Sequence, residues 1–343
     1  MARIAVVIPV YNAEGCLNEL LSRLTAVLKK ITPSFEIIFV EDHSHDRSWQ
    51  IIEGFASTES RVCGLHLTRN FGQHAAIAAG LDHCDGDWVI IMDCDLQDAP
   101  EDIERLYRAA QDGHDIVLTQ RLRRRASWFR TLLGKSFASV FGYLTERNFD
   151  VRVGAFRILS RRVVEAYREM NEKNPYLPGA IGWLGFPTTS IEVVQNERFA
   201  GESGYTLGKL LRLAVFSVVS YSDKPLRLTV KFGLAFAAIS CFFGIALIFD
   251  HLLGAQRLPG WSSIIVSIYL VGGLLMATIG MVGLYVGKLF DLARNRPPYI
   301  ISSATTNGRK LKYYFGRAGC QDRPIGATNP FGQIGPGNRQ TGS

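Results

Sequence analysis

The 343 residues carry 38 Lys and Arg against 31 Asp and Glu, a net charge of +7, with 47% hydrophobic and 20% charged residues. That length holds one large or two medium domains, and the positive balance suits either nucleic acid or an anionic membrane surface. Hydropathy decides against nucleic acid: residues 232–249 and 262–287 run without a charge, and about 20 apolar residues span a bilayer.

In chain order the predicted elements alternate. Strand 4–10 holds Pro9 and is too short for a signal peptide. It is followed by helix 14–31, with Leu17, Leu20, Leu24, Val27, Leu28 and Ile31 on one face. Then come strand 35–41, helix 46–58, strand 62–67, a small-residue helix at 73–84 and strand 88–92. A helix at 100–111, opened by Pro100, leads to strand 115–119. Repeated βα units predict an α/β fold with a doubly wound, mostly parallel sheet, which binds ligands beyond the carboxyl ends of its strands. Three polar clusters stand at such ends: Pro9-Val10-Tyr11-Asn12, Glu41-Asp42, and Asp93, Asp95 and Gln97.

Apolar residues recur at helical spacing through 127–145, where core packing is the plainer reading, and again through 206–222. The second stretch also carries Lys209 and Arg212 and reads as a helix lying on a membrane surface. Lys224, Arg227 and Lys231 precede the first apolar run, and Lys288, Arg294 and Arg296 follow the second. Positive charge marks the cytoplasmic side. The two runs therefore predict a multi-pass hairpin in the cytoplasmic membrane, with both termini in the cytoplasm. The boundaries read as a cytoplasmic domain at 1–200, a juxtamembrane helix at 201–227, the hairpin at 228–291, and a basic tail without regular structure at 292–343. The six cysteines form no zinc spacing.

The chemistry centres on Asp93-Cys94-Asp95. On extended backbone, residues i and i+2 share a face. Two carboxylates there can share Mg²⁺ or Mn²⁺, a hard ion held by one or two carboxylates while substrate phosphates and water complete its shell. A redox dinucleotide would want G-x-G-x-x-G after the first strand, but that turn reads Pro-Val-Tyr-Asn-Ala-Glu-Gly. A nucleotide whose diphosphate is neutralised by a metal fits better.

Val7-Ile8-Pro9-Val10-Tyr11-Asn12, Val40-Glu41-Asp42-His43-Ser44-His45-Asp46, Arg69-Asn70-Phe71-Gly72 and Asp93-Cys94-Asp95-Leu96-Gln97-Asp98 resemble, in this order, the signatures of family 2 glycosyltransferases. Within that family the chain is similar to the polyprenyl-phosphate and dolichyl-phosphate sugar transferases, through Glu197–Ser203 and the hairpin. The resemblance implies a GT-A fold and an inverting, metal-dependent transfer of one sugar from a UDP- or GDP-linked donor to a polyprenyl phosphate. By position, Pro9, Tyr11, Glu14, Glu41 and Asp42 fall on the nucleoside, Asp93 on the nucleotide and metal, and Asp95 and Gln97 on the metal and diphosphate. Glu41 and His43 stand where the family more often has Asp and Gly. Ala155 stands in Gly154-Ala155-Phe156-Arg157 where it more often has Asp.

A lipid phosphate is already anionic, so it can attack without the base that a hydroxyl acceptor needs. What remains is electrostatic work for the ion and for arginine, and Arg121 and Arg130 are the candidates for the acceptor phosphate. Asp95, Arg121 and Arg130 thus make the predicted catalytic set. The alternatives are a processive polysaccharide synthase, since Gln195-Asn196-Glu197-Arg198-Phe199 resembles that group's Q-x-x-R-W, and a non-catalytic membrane-anchored protein that binds nucleotide sugars. A homo-oligomer is left open.

Overall fold

The computed structural model describes residues 2–121, 153–170, 177–194, 224–252, 260–294, 296–306 and 309–315. They fall into two compact units, one built on a sheet and the other on two long helices.

The sheet unit runs β1 (Ile4–Val10), α1 (Leu17–Ile31), β2 (Phe35–Glu41), α2 (Ser48–Thr58), β3 (Val62–Leu67), α3 (Gln73–His83) and β4 (Trp88–Ile91). A 3-10 turn at Pro100–Asp102 leads into α4 (Ile103–Gln111). Next come β5 (Ile116–Arg121), β6 (Val153–Ser160), α5 (Arg161–Glu169), α6 (Leu177–Leu184) and β7 (Thr188–Val193). The spatial order is β7-β5-β6-β4-β1-β2-β3, continued at the β3 edge by two further strands. β4, β1, β2 and β3 are parallel. β6 enters antiparallel between β4 and β5, so the sheet is mixed.

Period-2 alternation sorts β1 into two cores. Ile4, Val6, Ile8 and Val10 pack with α1, α2 and α4, while Ala5 and Val7 pack with α3, α5 and α6. The residues of α3 from Ala75 to Leu81 are all buried, mostly Ala and Gly. Small side chains let this helix lie close on the sheet: a Cβ on Gly80 would fall 2.2 Å from Val7 Cγ1. α1 starts at Leu17 rather than at 14, and the N–H groups of residues 12–14 donate instead to Ser44 and Asp46 of the loop after β2 and to Ser48 at the start of α2.

The second unit holds α7 (Lys224–Leu252, 29 residues) and α8 (Trp261–Ala293, 33 residues). At 1.5 Å per residue both exceed a hydrocarbon core about 30 Å thick. Among the described residues one stretch, Leu270–Phe290, is long and apolar enough to cross a membrane by length and composition, with mean hydropathy 1.9. Phe232, Phe242 and Phe249 on α7, and Ile264, Met276 and Leu289 on α8, are all exposed. A Cβ built at Gly283 or Gly287 meets nothing within 4 Å, so among the described residues neither glycine packs against a neighbour.

The chain beyond α8 corrects the expectation of a tail without regular structure over 292–343. β8 (Ile301–Thr306) pairs antiparallel with β3, and β9 (Arg309–Phe315) pairs with β8. Tyr299, fully buried, donates its hydroxyl to Asp82 Oδ2 of α3 at 2.8 Å, and Thr68 N–H donates to Ile300 O. The polar run Ser302–Thr306 gives little hydropathic signal and is held instead by ladder hydrogen bonds to the β3 edge. Residues 316–343 lie outside the described residues.

Candidate active site

The loops after β1 and β2 are laced together at the carboxyl ends of those strands. Asn12 N–H donates to Ser44 Oγ at 2.9 Å, His45 N–H to Asn12 Oδ1 at 3.0 Å, and Glu14 N–H to Asp46 Oδ2 at 3.0 Å. Arg47 N–H returns a bond to Glu14 Oε2 at 3.0 Å. Asn12, His43 and Leu96 have φ of 50°, 57° and 58°, a left-handed conformation uncommon for residues other than glycine. They sit in the loops after β1, β2 and β4. Such strain persists where surrounding contacts over-determine the backbone, and here the lacing does so.

Glu41 and Asp42 end β2 facing inward. The Glu41 side chain, 1% exposed, accepts from His66 Nδ1 and from Ser44 N–H. Burial pushes its carboxyl up, but those partners outweigh burial and hold it below the ordinary carboxylate range. Trp49, His66 and His43 stack in sequence, with centroids 5.0 and 5.8 Å apart. Asp42 accepts from Phe71 N–H at 2.7 Å and from Gly72 N–H at 2.8 Å. Burial lifts its carboxyl above the ordinary range, and the two N–H donors offset that only in part.

β4 stops at Ile91, so Asp93 and Asp95 lie in the turn beyond the strand rather than on extended backbone. The two carboxylates are therefore placed by the turn and not by the alternation of a strand. Cys94 packs on the core, and the neighbouring Cys16 thiol donates to Ala13 O. The two flanking aspartates are partly exposed. Asp95 Oδ1 accepts from Gln97 N–H at 3.2 Å, closing a turn around Leu96. Gln73, at the start of α3, donates Nε2 to Asp93 Oδ1 at 2.6 Å.

At these strand ends the structure thus gathers Pro9, Tyr11, Glu14, Glu41, Asp42, Asp93, Asp95 and Gln97. Tyr11 is 46% exposed. Glu41, expected to touch a nucleotide, turns its carboxylate onto His66 instead, its register partner on β3. Arg121 closes β5, paired with Val193; Arg130 lies outside the described residues, as do 127–145 and 206–222. Ala155 sits on β6, where its carbonyl accepts from the buried Arg157. Sequence reasoning missed His66 and Gln73. His66 becomes visible only with the β2/β3 register, and Gln73 directly follows the Arg69–Gly72 signature.

The Glycosyl transferase family 2 model matches residues 5–168, which span every strand end from β1 to β5. The SfII prophage-derived bactoprenol glucosyl transferase of Shigella flexneri is 36% identical over 311 residues, covering 88% of this chain and 98% of that protein. The chain belongs to glycosyl transferase family 2. The transferase is also 37% identical over 314 residues to the undecaprenyl-phosphate 4-deoxy-4-formamido-L-arabinose transferase of Aeromonas hydrophila, covering 88% and 95% of the two chains. Among solved structures, the mannosyltransferase PcManGT from Pyrobaculum calidifontis, in complex with GDP-Man and Mn2+, aligns with 86% of this chain and 88% of its own, at 16% identity and a TM-score of 0.45.

Proposed function

We propose that the transferase moves one sugar from a UDP- or GDP-linked donor to a polyprenyl phosphate, with inversion at the anomeric carbon and with Mg²⁺ or Mn²⁺ at the diphosphate. The observation that carries this reading is the turn after β4, which offers two partly exposed carboxylates and the Gln97 amide where the parallel strands end. Among the described residues no three His, Cys, Asp or Glu gather as a ready-made metal cage. An all-oxygen, incomplete donor set fits a hard ion that takes its remaining ligands from phosphate and water. Asp93, Asp95 and Gln97 would hold that ion, which supplies positive charge to the departing diphosphate. The names of the Shigella and Aeromonas relatives, a bactoprenol and an undecaprenyl-phosphate transferase, support the lipid phosphate as acceptor.

In this reading Pro9, Tyr11, Glu14 and Asp42 receive the nucleoside, and Glu41 acts by fixing the strand end that carries Asp42. A phosphate oxygen of the lipid forms the new bond to the anomeric carbon as the bond to the diphosphate breaks. No proton has to be removed, so Ala155 in place of a carboxylate costs nothing. Arg121 and Arg130 are proposed to hold the acceptor phosphate.

Connectivity favours a two-span hairpin. Residues 224–294 leave the sheet unit after β7 and return to it at β8, which is hydrogen-bonded to β3. If α8 crosses the bilayer, a second crossing is required to bring β8 back to β3, and α7 supplies it. The sheet and both termini are then cytoplasmic.

The test gives purified full-length transferase, Mg²⁺ and polyprenyl phosphate a panel of radiolabelled UDP- and GDP-sugars. Label from one donor entering the lipid fraction as a monoglycosyl product supports the reading. A polymer would establish the processive synthase instead, and donor binding without transfer the non-catalytic protein.

A further inference from the structure

We infer that Gln73 is a positioning residue that orients Asp93 for the divalent ion, an inference that rests on the proposed metal site. Its amide donates to Asp93 Oδ1 at 2.6 Å, fixing the carboxylate through one oxygen. A carboxamide suits this task better than Lys or Arg. It is a donor without charge, so it orients the carboxylate without repelling a cation bound beside it.

The backbone that carries Gln73 is held from two sides. Gly72, with φ of 95°, precedes Gln73, and the N–H groups of Phe71 and Gly72 both donate to the buried Asp42 at the end of β2. Behind Gln73, Ala75–Leu81 of α3 are buried, with Gly80 seated on Val7 of β1. A continuous run of contacts thus joins the end of β2, through the 71–72 turn and the first residue of α3, to Asp93 beyond β4. Gln73 itself is exposed, where a single hydrogen bond contributes little to folding. Its geometry therefore points to the ion rather than to stability. Groups that hold a metal's ligands in orientation typically contribute about 10–100-fold to affinity.

The experiment uses the full chain in detergent and Mn²⁺ alone. Free ion is followed by electron paramagnetic resonance across a titration of the wild type, Gln73→Met and Asp95→Asn. Methionine keeps the length of the side chain and removes the donor. Thermal unfolding of each variant is recorded alongside, together with the Mn²⁺ concentration for half-maximal transfer and the donor KM. The expected result is Mn²⁺ binding weakened about tenfold or more in Gln73→Met, unchanged melting, and a matching rise in the Mn²⁺ requirement with donor KM little altered. Wild-type Mn²⁺ affinity in Gln73→Met, with Asp95→Asn impaired, would overturn the role of Gln73 and leave the metal site standing. Wild type and Asp95→Asn binding Mn²⁺ alike would overturn both.

Discussion

Asp95 and His74 set what single residues do here, one in chemistry and one in stability. In the proposed reaction Asp95→Asn keeps shape and removes charge from the ion site, and should lower transfer on the order of a hundredfold or more. Steady-state rates at saturating donor check this, and near-normal turnover would remove the ion from the reaction. His74, second in α3, is pushed down from 6.5 to about 4, first by burial and then by the Arg157 cation. Between those values the unfolded chain binds a proton that the folded one refuses. Stability is therefore full above pH 6.5 and is lost as pH falls toward 4, by about 2 kcal/mol once partial exposure is discounted. His74→Gln should flatten thermal stability across that window. Glu41 and Asp46 have lowered values, so their contributions persist to below about pH 4.5, while the raised value of Asp42 works the other way. The aspartates of the proposed metal site were legible because the apolar run of β4 precedes them locally. The pairing of Glu41 with His66 was not, because it depends on strand register 25 residues away.

At the scale of elements, α3 and the returning strand β8 are the parts that hold the site still. Gly80→Ala would put a methyl 2.2 Å from Val7 Cγ1 and 3.2 Å from Val40 Cγ2. Both neighbours are buried and β-branched, so they cannot turn aside. Overpacking of this kind costs roughly 1–3 kcal/mol, a loss that denaturant unfolding in detergent would register. Tyr299→Phe keeps the buried ring and removes the bond to Asp82; a cost of about 1 kcal/mol is expected, against none if the hydroxyl is idle. The first five strands and the helices between them could be read from local periodicity, each within a few residues of its place. β8 could not. Its residues Ser302, Ser303, Thr305 and Thr306 look like a linker, and it is the ladders to β3 and β9 that make them a strand. Lys310 and Lys312 on the outermost strand suit an edge that must not pair further.

For the whole molecule, the constraint is that one sheet is built from chain on both sides of the long helices. β7 ends at Val193 and β8 begins at Ile301, and both belong to the same nine-stranded sheet. Any number of bilayer crossings between them must be even. One apolar stretch alone, Leu270–Phe290, would leave the sheet divided by the membrane, and breaking the β3–β8 ladder would expose buried Leu65, Leu67 and Ile301. Zero crossings would instead leave the exposed phenylalanines and isoleucines of α7 and α8 in water, and large apolar surfaces are rare on soluble monomers. The proposed hairpin, with two crossings, would meet both demands. It predicts that a reporter enzyme active only outside the cytoplasm will work when inserted at Gln256, between the helices, and will fail when fused after Ser343. A reporter that fluoresces only inside should give the reverse pattern. Activity of the outside reporter at the C-terminus would mean an odd number of crossings. It would also mean that β8 cannot reach β3 in the same molecule once the chain is in the membrane.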